Sequence, residues 1–410
     1  MNKRIFLIIA LVIILTLLGV WAYILVYGTP EVVEERFARF SSEQPETSLP
    51  NGTETVVPEP NGHDSFDEED VDQSDDEYVP PPLQQITTEP VAGQQFVFKD
   101  IKATATSTAD TLFVYYVELG TGHIYRYDPF NSQKDRISNH TIQQTRQAFI
   151  TPDATYAVLI RGYTGNQQIT IIDLQENTDD RILLQETRDI ENIFMTNAGD
   201  LLYTRRTDGG SVGYQYFIET DFEQELFRFP LRNITVAWAP EASGEHYVYQ
   251  APSTQLLSTV YRVIGNSITR TNITGYDMSV INNGSSLAYS YQTEPDDPQT
   301  IISEALYLGE LFPLSTAIRK NKCDFTSSED IICGYELSEN IHTQESWLRG
   351  IVKNNDSLWY VDITNESSRL LTSPERNVGR QVDLNNILID NITGSVLFQN
   401  RRDGTLWLFL

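Results

Sequence analysis

The sequence predicts an all-β fold assembled from repeated units, and two observations carry this prediction. Short apolar segments alternate with turns rich in Gly, Asp, Asn and Thr from residue 95 onwards, which is typical of antiparallel strands. A strand–turn–strand pattern also recurs with spacings of 45, 45, 43, 42, 45 and 64 residues, anchored at Thr106, Thr151, Thr196, Ala239, Ile281, Thr326 and Asp390. Strand repeats of this length predict a seven-bladed β-propeller over residues 95–410. An open solenoid or two packed sheets is the alternative.

The two ends of the repeat region predict how the ring closes. The last repeat contains only three predicted strands, which are Ile387–Ile389, Ser395–Gln399 and Thr405–Leu410. A spare strand, Gln95–Lys99, precedes the first repeat. Pairing this strand with the last repeat would remove an open sheet edge. We therefore expect residues 95–100 to complete the last blade.

The N-terminus predicts a membrane anchor. The segment Ile5 to Tyr27 carries no charge, follows Lys3 and Arg4, and is long enough to cross a hydrocarbon core. The positive-inside rule places the basic tip in the cytoplasm and the rest of the chain outside. Residues 1–30 are thus expected to form a cytoplasmic tip and a transmembrane signal-anchor. A cleaved signal peptide is the alternative, although no small-x-small cleavage site follows.

Residues 31–94 are expected to be a juxtamembrane helix and a linker. Val33, Phe37 and Phe40 share one helical face, so the membrane helix is expected to continue for a few turns. The remainder is acidic and rich in Pro, with too few apolar residues to form a core, which predicts disorder. A solvated spacer is the favoured interpretation of its acidic runs, and a cation-binding tail is the alternative.

Charge restricts the partners that the protein can have. The net charge is −28, and no region outside the first four residues is basic. Binding to nucleic acid or to an anionic lipid surface depends on Lys and Arg, so the sequence argues against both.

The sixth repeat contains an insertion, residues 338–356, which explains the spacing of 64 residues. Insertions in repeat folds map to loops, often on a binding face. His342, Trp347 and Arg349 therefore form a candidate binding loop for a protein or peptide. The favoured alternative is that Trp347 covers apolar surface of its own blade.

The two cysteines of the chain, Cys323 and Cys333, flank the turn 326–330. A symmetric hairpin centred on Ser328 places them directly opposite each other, where a disulfide is geometrically possible. The outer side of a membrane is oxidising enough for the bond to form. Two unpaired, buried thiols are the alternative.

The sequence contains no persuasive catalytic or cofactor motif. Ser211 lies in a literal G-x-S-x-G match, but the surrounding pattern predicts a β-hairpin rather than the strand-to-helix elbow that a nucleophilic serine needs. The five histidines show no metal-ligand spacing, and no phosphate-binding loop is present. We therefore expect no catalytic residue, no metal and no cofactor, and a protein that is not an enzyme.

Two sequence patterns resemble known propeller proteins. The Thr-Pro-Asp turns and the segment 358–372, LWYVDITNESSRLLT, resemble the TolB-type and WD-repeat-like propellers. The sixth repeat is similar to that of membrane-anchored propellers of uncultured small-genome bacteria, with matches at Lys322, Cys323, Phe325, Thr326, Cys333, Gly334, Trp347, Gly350, Asp356, Leu358, Trp359, Val361 and Asp362. This resemblance covers the chain from residue 95 onwards. It implies fold and topology and no established activity.

These observations lead to one expected function and one alternative. We expect a propeller that is tethered to the cell membrane by a single pass, lies outside the cytoplasm, and binds or scaffolds an envelope protein or peptide. The alternative is an active or accessory propeller of a hydrolase system, as in dipeptidyl peptidase IV-like proteins, which share the anchor and propeller but continue into a hydrolase domain. Function must be argued from a site, and the sequence alone does not identify the ligand.

Overall fold

A computed structural model describes residues 82–104, 107–163, 167–174, 181–187, 190–336 and 342–410. The predicted anchor Ile5 to Tyr27, the linker up to residue 81 and the turn at Thr106 lie outside these residues. In the part that is described, no helix is long and apolar enough to cross a membrane.

The described residues form an all-β domain with three very short helical segments. The strands are β1 (Leu83–Gln85), β2 (Val91–Thr104), β3 (Ser107–Glu118), β4 (Ile124–Asp128), β5 (Gln133–Arg136), β6 (Thr145–Ile150), β7 (Tyr156–Arg161), β8 (Gln168–Asp173), β9 (Arg181–Thr187), β10 (Glu191–Met195), β11 (Leu201–Thr207), β12 (Gly210–Phe217), β13 (Phe222–Phe229), β14 (Ile234–Ala237), β15 (His246–Gln250), β16 (Ser258–Ile264), β17 (Ser267–Asn282), β18 (Ser286–Gln292), β19 (Ile301–Tyr307), β20 (Glu310–Pro313), β21 (Cys323–Phe325), β22 (Asp330–Tyr335), β23 (Ser357–Asp362), β24 (Ser367–Thr372), β25 (Leu384–Ile389), β26 (Val396–Asn400) and β27 (Leu406–Phe409). The helical segments are a 3₁₀ turn at Pro298–Thr300, α1 (Gln344–Leu348) and α2 (Pro374–Val378).

Within the described residues, these strands form five four-stranded sheets and one seven-stranded sheet, all antiparallel between neighbours. Four of the smaller sheets contain consecutive strands, namely β2–β5, β6–β9, β10–β13 and β21–β24. The seven-stranded sheet contains β14–β20, and its long strand β17 pairs with β16 up to Gly275 and with β18 from Tyr276 onwards. The sheet therefore consists of two four-stranded halves that share β17.

The turn after the first strand of each repeat explains the spacing seen in the sequence. At Thr151 the backbone N–H donates to Tyr156 O over 3.0 Å, while its hydroxyl donates to Asp153 Oδ1 over 2.6 Å. Equivalent backbone bonds close the turns at Thr326 and Asp390. A short polar side chain at the start and an Asp two residues later satisfy the donors of such a tight turn. In the repeat anchored at Ile281, the corresponding bond begins two residues later than expected, at Asn283.

The sheet that closes the domain differs from the prediction. Its order is β1-β27-β26-β25, so the N-terminal strand completes the last sheet, but that strand is Leu83–Gln85. Leu83 lies opposite Phe409, and Leu410 N donates to Pro82 O over 2.8 Å. The assignment of residues 95–100 to this role is wrong, and so is the domain boundary at residue 95.

Gln95–Lys99 instead lies within β2, where Gln95 pairs with Tyr115 and Lys99 with Thr111. Both candidate strands have an apolar residue that packs inward, so local pattern could not separate them. β3 is long enough to pair with β2 along its length, so Gln95–Lys99 already has a partner strand. Leu83–Gln85 pairs with β27 instead. Leu83–Gln85 follows three consecutive prolines and lies in the segment 31–94, which the sequence pattern assigns to the linker.

Hydrophobic clusters hold the sheets face to face. Most clusters lie between two sheets that follow each other in the chain, as where Val97 and Phe113 pack against Ala148 and Leu159. Another cluster lies between the two halves of the seven-stranded sheet. The last cluster packs Leu397 and Leu408 against residues of the first sheet, including Val91, Phe96, Leu112, Val114 and Tyr116. This contact joins the end of the domain to its beginning, and the sheets therefore form a closed ring.

Candidate functional site

The first strand of every repeat lines a cavity of about 540 Å³ at the centre of the ring. β2, β6, β10, β14, β17, β21 and β25 contribute, together with Lys320 and Asn321 just before β21. The strands approach closely here. A Cβ atom at Gly93 in β2 would lie 2.0 Å from Ala148 O in β6, so only glycine fits at this contact. The crowding brings side chains that are far apart in sequence into one small space.

A second cavity, of about 920 Å³, adjoins the first and is lined by the turns that follow the same strands. Six residues line both cavities: Gln95, Phe194, Met195, Asn282, Asp324 and Leu388. The walls combine aromatic and aliphatic side chains with amides, hydroxyls and carboxylates. Such a mixture is typical of ligand sites, where apolar area provides affinity and a few polar groups fix orientation.

Some of the amides in the first cavity are already used to join neighbouring sheets. Asn192 Nδ2 donates to Ile234 O over 3.0 Å, and Asn282 Nδ2 donates to Glu245 O over 2.6 Å. Asn386 Nδ2 donates to Gln399 Oε1 over 3.2 Å. The first bond joins two sheets and the second joins the two halves of the seven-stranded sheet, whereas the third lies within the last sheet. Gln95, Gln147 and Asn321 line the same cavity.

Lys320 supplies the cation of the first cavity. Its backbone N–H donates to Ser279 Oγ over 2.8 Å, and its Nζ donates to Val236 O in β14. Within the described residues, Lys320 has no carboxylate in ion-pair contact. Burial alone lowers the pKa of its amine to about 8, because no neighbouring charge stabilises the ammonium form.

Asp324 lies four residues further on and lines both cavities. Its Oδ1 accepts one hydrogen bond, from Phe325 N at 2.9 Å. Burial raises the pKa of this carboxyl to about 7, and the bond from Phe325 N opposes the rise only in part. The cavities thus contain an amine and a carboxyl that both change charge near neutral pH, which is the property of groups that bind charged ligands or transfer protons.

The two cysteines next to these residues form the predicted disulfide. Cys323 lies directly opposite Cys333 in the β21–β22 pair, with their Cα atoms 4.1 Å apart. The predicted hairpin register is therefore confirmed. Cys323 also lines the first cavity, so the disulfide fixes the wall between Lys320 and Asp324.

The candidate binding loop has a different environment from the one predicted. Trp347 in α1 is only 1% exposed, and its Nε1 donates to Asp383 Oδ1 over 2.8 Å. Its ring lies between Lys322 Nζ at 4.8 Å and Arg401 Cζ at 4.3 Å from the centroid. Trp347 therefore does not present its ring to a ligand. Arg349 is exposed, and His342 accepts a bond from Arg319 through its carbonyl. Their binding role stays a prediction.

A buried ionic cluster surrounds Trp347. Lys322 Nζ bonds Asp356 Oδ2 and lies 2.6 Å from Asp383 Oδ1, and all three side chains are at most 1% exposed. Asp356 Oδ2 also accepts from Leu384 N over 2.8 Å. Burial raises the pKa of Asp356, and the Lys322 ammonium opposes this rise. The cluster joins the β21–β24 sheet to the last sheet and fastens the insertion between β22 and β23.

Sequence reasoning missed Lys320 and Asp324, and it named Lys322 only as part of a resemblance and not as a site residue. The signal that could have found them is the run Lys320–Asp324, KNKCD, in which alternate residues are charged at the entry of an innermost strand. Such strands are crowded and otherwise apolar. Charges there need either buried partners or a ligand.

Ser211 lies in β12, immediately after the β11–β12 hairpin turn, and is 2% exposed. Its hydroxyl donates to Leu231 O over 2.8 Å. The predicted β-hairpin at the G-x-S-x-G match is confirmed. Among the described residues, no three His, Cys, Asp or Glu side chains converge as metal ligands would.

No protein-family model matches this sequence, and no curated protein sequence matches it. Solved structures do align with it. An oligogalacturonate lyase from Vibrio parahaemolyticus aligns over 80% of this chain and 92% of its own, with 12% identity and a TM-score of 0.53. The β-propeller domain of the Trilobed protease from Pyrococcus furiosus covers 76% of this chain and 93% of its own (10%, TM-score 0.46). TolB from Acinetobacter baumannii covers 77% and 78% (12%, 0.38).

The domain therefore shares the fold of the aligned oligogalacturonate lyase. Its own antiparallel sheets are the repeated strand units that the repeat pattern predicted. The same comparison corrects one prediction. The sequence interpretation held that the protein is not an enzyme, and this is wrong as an inference from this fold, because the aligned structures include enzymes such as the oligogalacturonate lyase. The absence of a familiar motif cannot exclude catalysis on such a scaffold.

Proposed function

We propose that this protein is a seven-bladed propeller that binds a peptide segment of a cell-envelope protein in its two adjoining central cavities. The shared lining of these cavities carries the proposal. Each cavity has the size of a typical ligand pocket. Phe149, Phe194, Met195 and Trp238 provide apolar contact area, while amides and Asp324 offer partners for peptide N–H and C=O groups. The blade count follows from treating the two halves of the β14–β20 sheet as separate blades.

We also propose that the propeller is held at the outer face of the cell membrane by the segment Ile5 to Tyr27. The charge asymmetry around this segment supports the orientation, and a disulfide between Cys323 and Cys333 fits an oxidising compartment. A reporter that functions only outside the cytoplasm, fused after Leu410, should be active. Activity only of a cytoplasmic reporter would overturn this orientation.

Site-specific photo-crosslinking in cells tests the binding proposal. A photoreactive phenylalanine analogue at Phe194, which lines both cavities, should crosslink to a defined peptide segment of a partner. The matched control is the same analogue at Phe222, which is 55% exposed on an outer strand. Equal crosslinking at the two positions, or none at Phe194, would contradict binding in the cavities.

Acid–base catalysis on the bound ligand is a second candidate, favoured by the shifted pKa values of Lys320 and Asp324. A group whose pKa lies near the working pH can both take up and release a proton. In this case Asp324→Asn should lower turnover of the ligand by about 100-fold or more while leaving its affinity within a few-fold. Equal turnover by the variant and the native protein would exclude the role.

A further inference from the structure

Among the described residues, Lys320 differs from Lys322 in having no carboxylate within ion-pair distance. Lys322 contacts Asp356 and Asp383, and the field at Arg319 includes Asp356, Asp277 and Asp383. Glu191, a carboxylate that lines the same cavity as Lys320, is bound at 2.7 Å by Arg206. Asp324 lines the cavity too, and its carboxylate accepts a hydrogen bond from its neighbour Phe325 N. A half-buried cation without a countercharge costs stability, and a bound anion would offset this cost.

The position of Lys320 is fixed before any ligand arrives. Its own N–H is held by Ser279 Oγ, and Ile318 N donates to Ser290 Oγ over 2.6 Å. Three residues further on, the Cys323–Cys333 disulfide anchors the chain. Of the three ammonium hydrogens, one is directed to Val236 O, and two remain for a ligand. A preorganised donor of this kind loses little entropy on binding.

We propose that Lys320 forms a carboxylate subsite in the first central cavity, and that the group it binds is the C-terminal carboxylate of a peptide. The inference rests on the proposed peptide-binding function. A single cation matches a single negative charge, whereas Asp324 and the overall charge of −28 oppose polyanions. Asn321 and Gln147 line the same cavity and are available to donate to the second carboxylate oxygen.

Asp324 completes the match to a peptide terminus. It is four residues from Lys320, so their Cα atoms are at most about 14 Å apart. A chain that enters from the second cavity passes Asp324 before it reaches Lys320, because Asp324 lines both cavities and Lys320 only the first. The carboxylate of Asp324 can accept from a peptide N–H, while the terminal carboxylate meets the ammonium.

A peptide pool tests this proposal without knowledge of the natural partner. The probe is a pool of random octapeptides, synthesised once as free acids and once as C-terminal amides, and retention on the immobilised protein is measured by mass spectrometry. The native protein should retain the acids about tenfold or more better than the amides, since hydrogen bonds between charged groups are strong. Lys320→Met should reduce this ratio to about one. Lys134→Met, at an exposed position outside both cavities, should leave it unchanged.

The outcomes separate the two proposals. Retention of acids and amides to the same extent by the native protein overturns the carboxylate subsite and leaves peptide binding standing. If the native protein retains neither pool, both the carboxylate subsite and peptide binding in the cavities are overturned. Equal ratios for the native protein and a folded Lys320→Met variant show that another group binds the terminus, which also overturns the inference. As a second readout, the NMR titration of Lys320 should shift to higher pH when an acid peptide is bound, and an unchanged titration would contradict the contact.

Discussion

Lys320 and Lys322 are separated by one residue, yet their environments are opposite. Lys322 lies between sheets, essentially unexposed, and meets two carboxylates and the face of Trp347. Lys320 lines the central cavity and donates to a single carbonyl. The comparison separates two uses of a charged residue in a protein interior. In the ionic cluster, two carboxylates of the protein neutralise the ammonium of Lys322. In the cavity, the proposed ligand carboxylate would neutralise the ammonium of Lys320.

The largest expected effect comes from removing the neutralised charge. Lys322→Met leaves Asp356 and Asp383 buried without a cation, so the free energy of unfolding should fall by about 3–5 kcal/mol. Chemical denaturation measures this loss. Lys320→Met is the matched control and should cost far less, because it removes a charge that has no partner. Equal losses for the two variants would refute the comparison.

Loss of the disulfide between Cys323 and Cys333 should have the next largest effect on stability. Replacement of Cys323 and Cys333 by Ala should lower the free energy of unfolding by about 3 kcal/mol, because the short loop becomes free in the unfolded chain. Denaturation of the native protein with and without reductant provides the control, and reduced native protein should match the double variant. Alkylation of both cysteines in protein from an oxidising compartment would show that the bond does not form.

Removal of the indole N–H of Trp347 tests how much its hydrogen bond to Asp383 stabilises the ionic cluster. Trp347→Phe keeps a ring but removes the donor to Asp383, so it should cost about 1–3 kcal/mol. Trp359→Phe is the control, since Trp359 Nε1 is buried and has no hydrogen-bond partner among the described residues. Its loss should cost less than that of the Trp347 donor. Equal costs would mean that the bond to Asp383 contributes nothing specific.

The smallest effect should depend on pH and concerns the cavity. Because the pKa of Asp324 is about 7 in the folded state, the unfolded chain ionises first as the pH rises, and stability is lost between pH 4 and 7. Asp324→Asn should therefore raise the free energy of unfolding at pH 8 and change it little at pH 4. The gain should be small, because partial exposure of Asp324 to solvent screens the cost of its charge. Glu310→Gln, at an exposed carboxylate, should show no such difference. A gain that is the same at both pH values would contradict the shifted pKa.

The sequence by itself determined the features that depend on neighbours along the chain. The repeat period, the Thr-Pro-Asp turn at Thr151 and the register of Cys323 against Cys333 all follow from local turn chemistry and strand alternation. These interactions join residues that are close in sequence, so the sequence pattern is enough to predict them. The same reasoning identified the insertion and its position between two strands of one repeat.

Tertiary structure alone decided which of two similar strands closes the ring and which of two similar lysines is neutralised. Leu83 pairs with Phe409 across the whole domain, and Lys322 meets Asp383 from the neighbouring sheet. The central cavity likewise exists only once the first strands of all repeats converge. In each case the deciding contact joins residues from different sheets, and its energy depends on burial that no local segment can create.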